Sequence, residues 1–521
     1  MSRAIFRSTS VVGAMTLLSR VTGLAREMLF AQLFGAGALM DAFLVAYKIP
    51  NFLRRLFAEG AFSQAFVPVI SEYKVKRSHE DVRELASGVA GTLGAILFVI
   101  TVVGVLAAPV VIFLFAPGFT RTPGKYELAV EMLRFTFPYI FFISITAFFS
   151  GVLNSYGRFG VPAATQIVGN LVMIAAAILA ATYSDHPGVA LALGVFVSGV
   201  VQILFQLPSV AKLGLLSWPR WRPGLEAVRR IGRLMVPGII GSSMAQVSLL
   251  LDVLIASFLV TGSIAWLYFA DRLMEFPLGV FSIALATVIL PGLSAHHAQQ
   301  SAEHFNATLD WALRLVVLLA SPAAVGLLAL AGPLTATVYG YGEFTHRDVL
   351  MAMYALMAYS LGLLGFSFVK VLAPGYFARQ DTRTPVRVGL ISLGVNMTLN
   401  LLLVLPAFYW LGFEYPHILL ATSTSISAAV NSALLLRGLR RSGVYRPSQG
   451  WSVLLVRVVA ANAAMAALLI WLAGPLPEWT AASALDRSGR LALCIAAGAA
   501  AYFAALYGFG LRPAHLRTGE R

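Results

Sequence analysis

Apolar residues run along this chain in long blocks separated by short polar breaks, and many blocks reach the roughly 20 residues that a helix needs to cross a bilayer core. Fourteen spans are predicted: 5–34, 39–57, 87–115, 133–153, 161–183, 188–207, 235–260, 264–290, 311–338, 350–372, 386–405, 418–439, 452–473 and 491–509. The expected fold is an all-α polytopic membrane protein. A weak internal repeat supports a two-lobed plan. The run from Val152-Leu153 through Tyr156, Arg158 and Pro162 to Asn170 has the same order of features as Val371-Leu372 through Tyr376, Arg379, Pro385 and Asn396. Repeated halves with a site between them are a common design in carriers. The expected organisation is a six-span lobe over 1–212, a linker over 213–230 rich in Trp, Pro and Arg, a second six-span lobe over 231–442, and a helix pair with a tail over 443–521.

Composition sharpens this picture. Of 521 residues, 59% are hydrophobic and 12% charged, against about 25% charged in soluble domains. Loops on one side of the predicted spans hold 23 Lys and Arg, and those on the other hold five, Arg121, Lys125, Arg347, Arg487 and Arg490. Cytoplasmic loops retain positive charge, so both termini are expected in the cytoplasm. The same asymmetry accounts for the net charge of +15 without nucleic acid, which needs a basic face on a soluble module. Cys494 is the single cysteine, which excludes an internal disulfide, a cysteine zinc site and a CxxC redox pair. Arg3 and Arg7 before an apolar run resemble a signal sequence, but Arg20, Arg26 and Glu27 follow without a convincing cleavage site, so the first span is expected to be retained.

Ionisable side chains inside spans are costly and usually face a cavity or one another. Here they gather in three spans: Arg20, Arg26 and Glu27; Asp41, Lys48, Arg54 and Arg55; and Asp271, Arg272 and Glu275. Helical spacing stacks Arg20 over Glu27, and Asp41, Lys48 and Arg55 in a similar stripe. Such stripes either line a wet cavity or, near helix ends, snorkel to the headgroups. Arginine dominates the set. A guanidinium stays charged and grips phosphate or carboxylate oxygens as a fork, so the cavity reads as built for an anion. Gly23, Gly35, Gly37, Pro50 and Pro277 interrupt or flank the same spans, as expected where helices bend in a carrier.

A second constellation comprises Asp252, Asn396, Asn400 and Thr422, the last opening the run Thr422-Ser423-Thr424-Ser425. It has two readings: oxygen ligands for a hard cation such as sodium, or interhelical hydrogen bonding, which is favoured. The polar stretch 294–308 with His296, His297 and His304 reads as an interfacial helix rather than a metal site. Ala492, Ala496, Ala500 and Ala504 suit close helix packing, with a lipid-accommodating groove as the alternative.

At these residues the chain resembles the MurJ (MviN) lipid II flippases of the multidrug/oligosaccharidyl-lipid/polysaccharide exporter superfamily. The likeness is carried by the runs 19–26, Phe34-Gly35-Ala36-Gly37 with Asp41-Ala42-Phe43, 48–68, 270–277 and 370–374. It implies fourteen helices, a V-shaped cationic cavity, and alternating-access translocation of the lipid-linked peptidoglycan precursor across the inner membrane. It also implies that Arg20, Arg26, Asp41, Arg54 and Arg272 match cavity positions. With Asn51 from the same run and Glu275 beside Arg272, these form the expected substrate-binding set. The helix pair would groove the polyprenyl tail. A sodium site of part of the family would map to Asp252, Asn396, Asn400 and Thr422, with Asn400 standing where a carboxylate is expected. The expected partners are lipid II and membrane lipids, and the chain is expected to act as a monomer and not as an enzyme. The rival readings are a drug/cation antiporter, which calls for aromatic and acidic cavity walls, and a glycosyltransferase. The latter needs a catalytic carboxylate among Glu343, Asp348, Glu414, Glu478 and Asp486.

Overall fold

Backbone polar groups have no water to bond inside a bilayer, so each spanning segment must satisfy its own as a helix. The computed structural model describes residues 3–54, 62–298 and 301–512, and among these it contains helices and no strand. The chain divides into two compact units, Met1–Gly262 and Ser263–Arg521.

The first unit contains α1 (Arg3–Phe34), α2 (Ala38–Arg54), α3 (Ser63–Lys76), α4 (His79–Leu106), α5 (Ala108–Phe115), α6 (Lys125–Thr136), α7 (Tyr139–Ser155), α8 (Gly160–Tyr183), α9 (Pro187–Ala211) and α10 (Glu226–Ser257). Its boundaries follow local chemistry. Gly35 ends α1 because it takes the left-handed conformation (φ 62°) and returns its N–H to Ala31 O at 2.9 Å, a geometry that disfavours a Cβ. Ser78 opens α4 with a reciprocal capping box to Asp81. The predicted third span is two helices, because α4 stops at Leu106 and α5 restarts with Pro109 in its first turn, where the missing N–H costs nothing. One apolar core ties α3, α4 and α7 through Phe66, Ile70, Leu85, Phe148 and Val152, and draws in Leu215 and Ile231.

The second unit contains α11 (Ser263–Ala298), α12 (Ala302–Ala329), α13 (Ala331–Val338), α14 (His346–Phe377), α15 (Arg383–Leu399), α16 (Leu405–Tyr409), α17 (Pro416–Arg441), α18 (Trp451–Ala473), α19 (Leu476–Ala481) and α20 (Ala484–Gly508). A π-helical stretch, Asn400–Val404, joins α15 to α16. Leu309, Leu313, Val316, Val371, Leu372, Leu435 and Leu439 form its main core. Asp310 and Arg314 lie within α12, bonded to each other at 2.8 Å. Asp310 also accepts from Tyr445 OH (2.8 Å) and Trp451 Nε1 (2.7 Å), while Arg314 donates to Gln449 O at 2.8 Å. These bonds dock the start of α18 against α12. The stretch 294–308 is not a separate interfacial helix: 294–298 completes α11 and 302–308 opens α12, because a helix continues past the apolar slab as long as its backbone bonds do. His304 is bonded to Ser301 Oγ at 2.6 Å.

Ten helical segments of the described residues are long and apolar enough to cross a membrane: α4, α6 with α7, α8, α9, α12, α14, α15 through α16, α17, α18 and α20. The other four predicted spans fall on α1, α2, α10 and α11. These same helices hold Arg20, Arg26, Glu27, Asp41, Lys48, Arg54, Asp252, Asp271, Arg272 and Glu275. The surface of the crossing helices is inverted relative to a soluble protein, with Phe98, Val99, Val103 and Phe113 exposed on α4 and α5. The predicted linker 213–230 packs in the first unit, as does α10.

Candidate functional site

The polar centre of the first unit is built on α1. Arg26 donates from Nη1 to Asn170 Oδ1 on α8 at 3.1 Å and from Nη2 to Glu27 Oε1 beside it, and its guanidinium lies 5.7 Å from the Phe30 ring centroid. Glu27 is buried, which is tolerable in a low dielectric only because a counter-charge touches it. Asn170 is a two-sided clamp. Its Nδ2 donates to Ser19 O and Thr22 Oγ1, both at 3.1 Å, while its oxygen receives the arginine, since an amide carries two N–H donors and a separate acceptor oxygen. Arg26 and Asn170 share a polar pocket with Tyr47, Tyr139, Ser198 and Gln202, and the buried Gln202 Oε1 has no hydrogen-bond partner there. Arg20 is half-buried one turn and a half earlier on α1.

The other predicted residues of this unit fall into two groups. Asn51 Oδ1 accepts from Arg54 Nε at 3.1 Å, and Asn51 Nδ2 bonds Tyr47 O at 3.1 Å, so this pair is joined within α2. Asp41 is 1% exposed. Its Oδ2 receives Lys125 Nζ at 2.7 Å and Gly262 N at 2.8 Å, and Lys125 also sits 4.4 Å from the Phe119 ring centroid. A buried carboxylate engaged in this way fastens α2 to α6 and to the turn that follows α10. In the sequence Lys125 reads as a loop charge, because its partner lies 84 residues away. Of the Asp41, Lys48, Arg55 stripe, Arg55 lies outside the described residues.

In the second unit, Arg272 Nη1 donates to Glu275 Oε2 at 2.7 Å, Asp271 lies 3.8 Å from Nη2, and the guanidinium is 5.0 Å from the Tyr268 ring centroid. All three charged side chains are partly exposed. The predicted cation-site residues are divided, with Asp252 on α10 of the first unit and the rest in the second. There, Asn400 Nδ2 donates to Asn396 Oδ1 at 2.7 Å, Asn396 Nδ2 reaches Thr424 Oγ1 at 3.4 Å, and Thr422 Oγ1 donates to Ile418 O at 2.8 Å. A sodium ion needs converging oxygens, whereas here an amide N–H occupies the Asn396 oxygen, and Thr424 rather than Thr422 faces it. These side chains fit a hydrogen-bonded ladder better than a sodium cage. Among the described residues no group of three His, Cys, Asp or Glu could hold a metal.

Three of the five loop carboxylates weighed for catalysis have structural duties. Asp348 caps α14 and accepts from Trp266 Nε1 at 2.7 Å, Asp486 bonds Ser483 at the start of α20, and Glu478 pairs with Arg490 at 2.9 Å.

Ten helices of the described residues long and apolar enough to cross a bilayer, with an arginine clamped in a polar pocket among them, define a multi-pass membrane protein with the architecture of a transporter. Comparison with known proteins is specific. The family described as "Lipid II flippase MurJ" matches residues 30–488. "Probable lipid II flippase MurJ" of Vibrio cholerae is 44% identical over 99% of this chain and 98% of its own length. "Lipid II flippase MurJ" of Burkholderia cenocepacia is 42% identical over 98% and 99%. A solved structure, "Lipid II flippase MurJ, inward closed conformation", superposes with a TM-score of 0.76 at 25% identity, covering 95% of this chain and 99% of that one. The chain belongs to the MurJ lipid II flippase family. An inward-facing multidrug resistance MATE family transporter shares the fold, with a TM-score of 0.66 at 15% identity over 85% and 99%.

Proposed function

We propose that this chain translocates lipid II, the lipid-linked peptidoglycan precursor, from the cytoplasmic to the periplasmic leaflet of the inner membrane by alternating access, supplying cell-wall synthesis. The observation that carries this reading is full-length kinship to flippases combined with a guanidinium, Arg26, held in a polar pocket by Glu27 and Asn170. A diphosphate is the part of such a substrate that the bilayer rejects most strongly, and a prearranged arginine fork offers paired N–H donors in place of its water. In this reading Arg20, Arg26, Asn51, Arg54, Arg272 and Glu275 form the substrate-binding set, and Asp41 supports it through its pair with Lys125. The four charged helices α1, α2, α10 and α11 complete fourteen crossings, arranged as two six-helix lobes and a terminal pair. Both termini are cytoplasmic, the chain acts as a monomer, and no catalytic residue is assigned.

The test is complementation of a flippase-depleted strain together with precursor binding by purified protein. Arg26→Lys and Arg272→Lys each keep the charge and lose the fork, and each is expected to lower transport about tenfold or more at normal membrane levels. Full complementation and normal binding by both variants would refute the fork.

A further inference from the structure

The segment between α9 and α10 is held in place more firmly than a connecting loop requires. Ser87 Oγ of α4 donates to Trp218 O at 2.6 Å, Arg220 N donates to Ser87 O at 3.1 Å, and Arg222 N donates to Thr92 Oγ1 at 3.3 Å. Nearer the start of α4, Ser217 Oγ reaches Arg83 O at 3.5 Å and Arg222 pairs with Glu84. A Cβ added at Gly91 would run into the Arg220 backbone, so the segment lies directly on the helix.

From Arg83 to Thr92, α4 advances about 13 Å at 1.5 Å per residue, and α4 is itself long and apolar enough to span. The segment therefore descends along a membrane helix from its charged first turns to its apolar body. Leu215 and Ile231 anchor its two ends in the core. Between these anchors, however, Trp218 is 86% exposed and Trp221 59%. Rigid backbone with two outward indoles is the arrangement that suits a membrane interface, where the ring is half apolar and its N–H stays wet.

The charge around the indoles has one sign in excess. Arg222 and Arg230 are balanced by Glu84 and Glu72. Lys212, Arg220, Arg229 and Arg233 are exposed and enter no ion pair among the described residues, with Glu226 the one exposed acid on this stretch. Basic side chains near an anionic leaflet are drawn to its surface potential.

We propose that residues 212–233 form a binding surface for anionic phospholipid headgroups, with Trp218 and Trp221 seated at headgroup level and Lys212, Arg220, Arg229 and Arg233 on the phosphates. This surface is separate from the Arg26 pocket, so it stands whether or not the transported substrate is lipid II.

Full-length protein in vesicles of phosphatidylcholine, with or without phosphatidylglycerol, tests it. Lipids brominated near the headgroup should quench wild-type tryptophan fluorescence more than that of Trp218→Phe/Trp221→Phe, which retains two rings and the anchored backbone. Phosphatidylglycerol should raise the unfolding temperature of the wild type, and Lys212→Gln/Arg220→Gln/Arg233→Gln should lose most of that gain while matching the wild type in phosphatidylcholine alone. Equal quenching of wild type and the phenylalanine variant would place the indoles in water, as for a protein-docking face, and would overturn the proposal. An undiminished phosphatidylglycerol response in the glutamine variant would also overturn it.

Discussion

Asn170 and Asn396 hold corresponding places in the order of features read along the sequence, yet their surroundings differ. Asn170 faces a guanidinium and two groups on α1, all from sequence more than 140 residues away. Asn396 is buried, and it bonds Asn400 one turn along its own strand of helix and Thr424 on α17. Neighbouring Ser392 and Ser427 extend that second set, with their hydroxyls 2.7 Å apart. The first asparagine makes a largely buried charge tolerable and fixes its direction. The second belongs to a neutral ladder that holds two helices together. The same side chain serves both because an amide donates and accepts at once; the neighbouring helix determines which task it performs.

The sharpest way to break this contrast is Asn170→Leu. It removes three hydrogen bonds and leaves Arg26 without its α8 acceptor, at an expected cost of about 1–3 kcal/mol in stability and a clear loss of transport. Combined with Arg26→Leu, the losses should be less than additive, since each substitution removes part of the same interaction. Additive losses, measured by thermal unfolding in detergent, would show that the amide and the arginine act apart.

Asn396→Leu should cost less, about 0.5–1.5 kcal/mol, in keeping with interhelical hydrogen bonds between neutral groups in membranes. Transport at saturating substrate should survive, and its response to sodium should be unchanged. A sodium response that is present in the wild type and lost in Asn396→Leu would instead make the ladder part of a cation site.

The smallest effect is expected outside the spans, where charge is cheap. Hydrogen bonds from Lys76 and then Arg230 hold the Glu72 carboxyl below its usual range. A depressed folded-state value means that its contribution is present above the unfolded carboxylate range and is lost as pH falls through the lowered value. Glu72→Gln should therefore lower the unfolding temperature slightly near neutral pH, and the difference should close in acid. A difference that persists or grows on acidification would contradict this.

The sequence by itself determined that the chain lives in a membrane, because blocks of apolar residues long enough to span a bilayer leave little alternative. It also singled out the arginines, since a charge within an apolar run is conspicuous in one dimension. Long matching runs such as 48–68 pointed to the family. Other features were decided only in three dimensions. The pairing of Asp41 with Lys125 is not visible in one dimension, nor is the way Asp310 and Arg314, at the start of the ninth predicted span, dock α18. Asn170 stood out only as a repeat marker. The break of the third predicted span at Leu106, and the inclusion of α10 and the 213–230 segment in the first unit, were equally invisible. The physical reason is common to all of these. Hydropathy is a property of each residue and its near neighbours, whereas the partner of a buried charge or amide is chosen by which helices pack together, and here those partners lie 84 to 151 residues away.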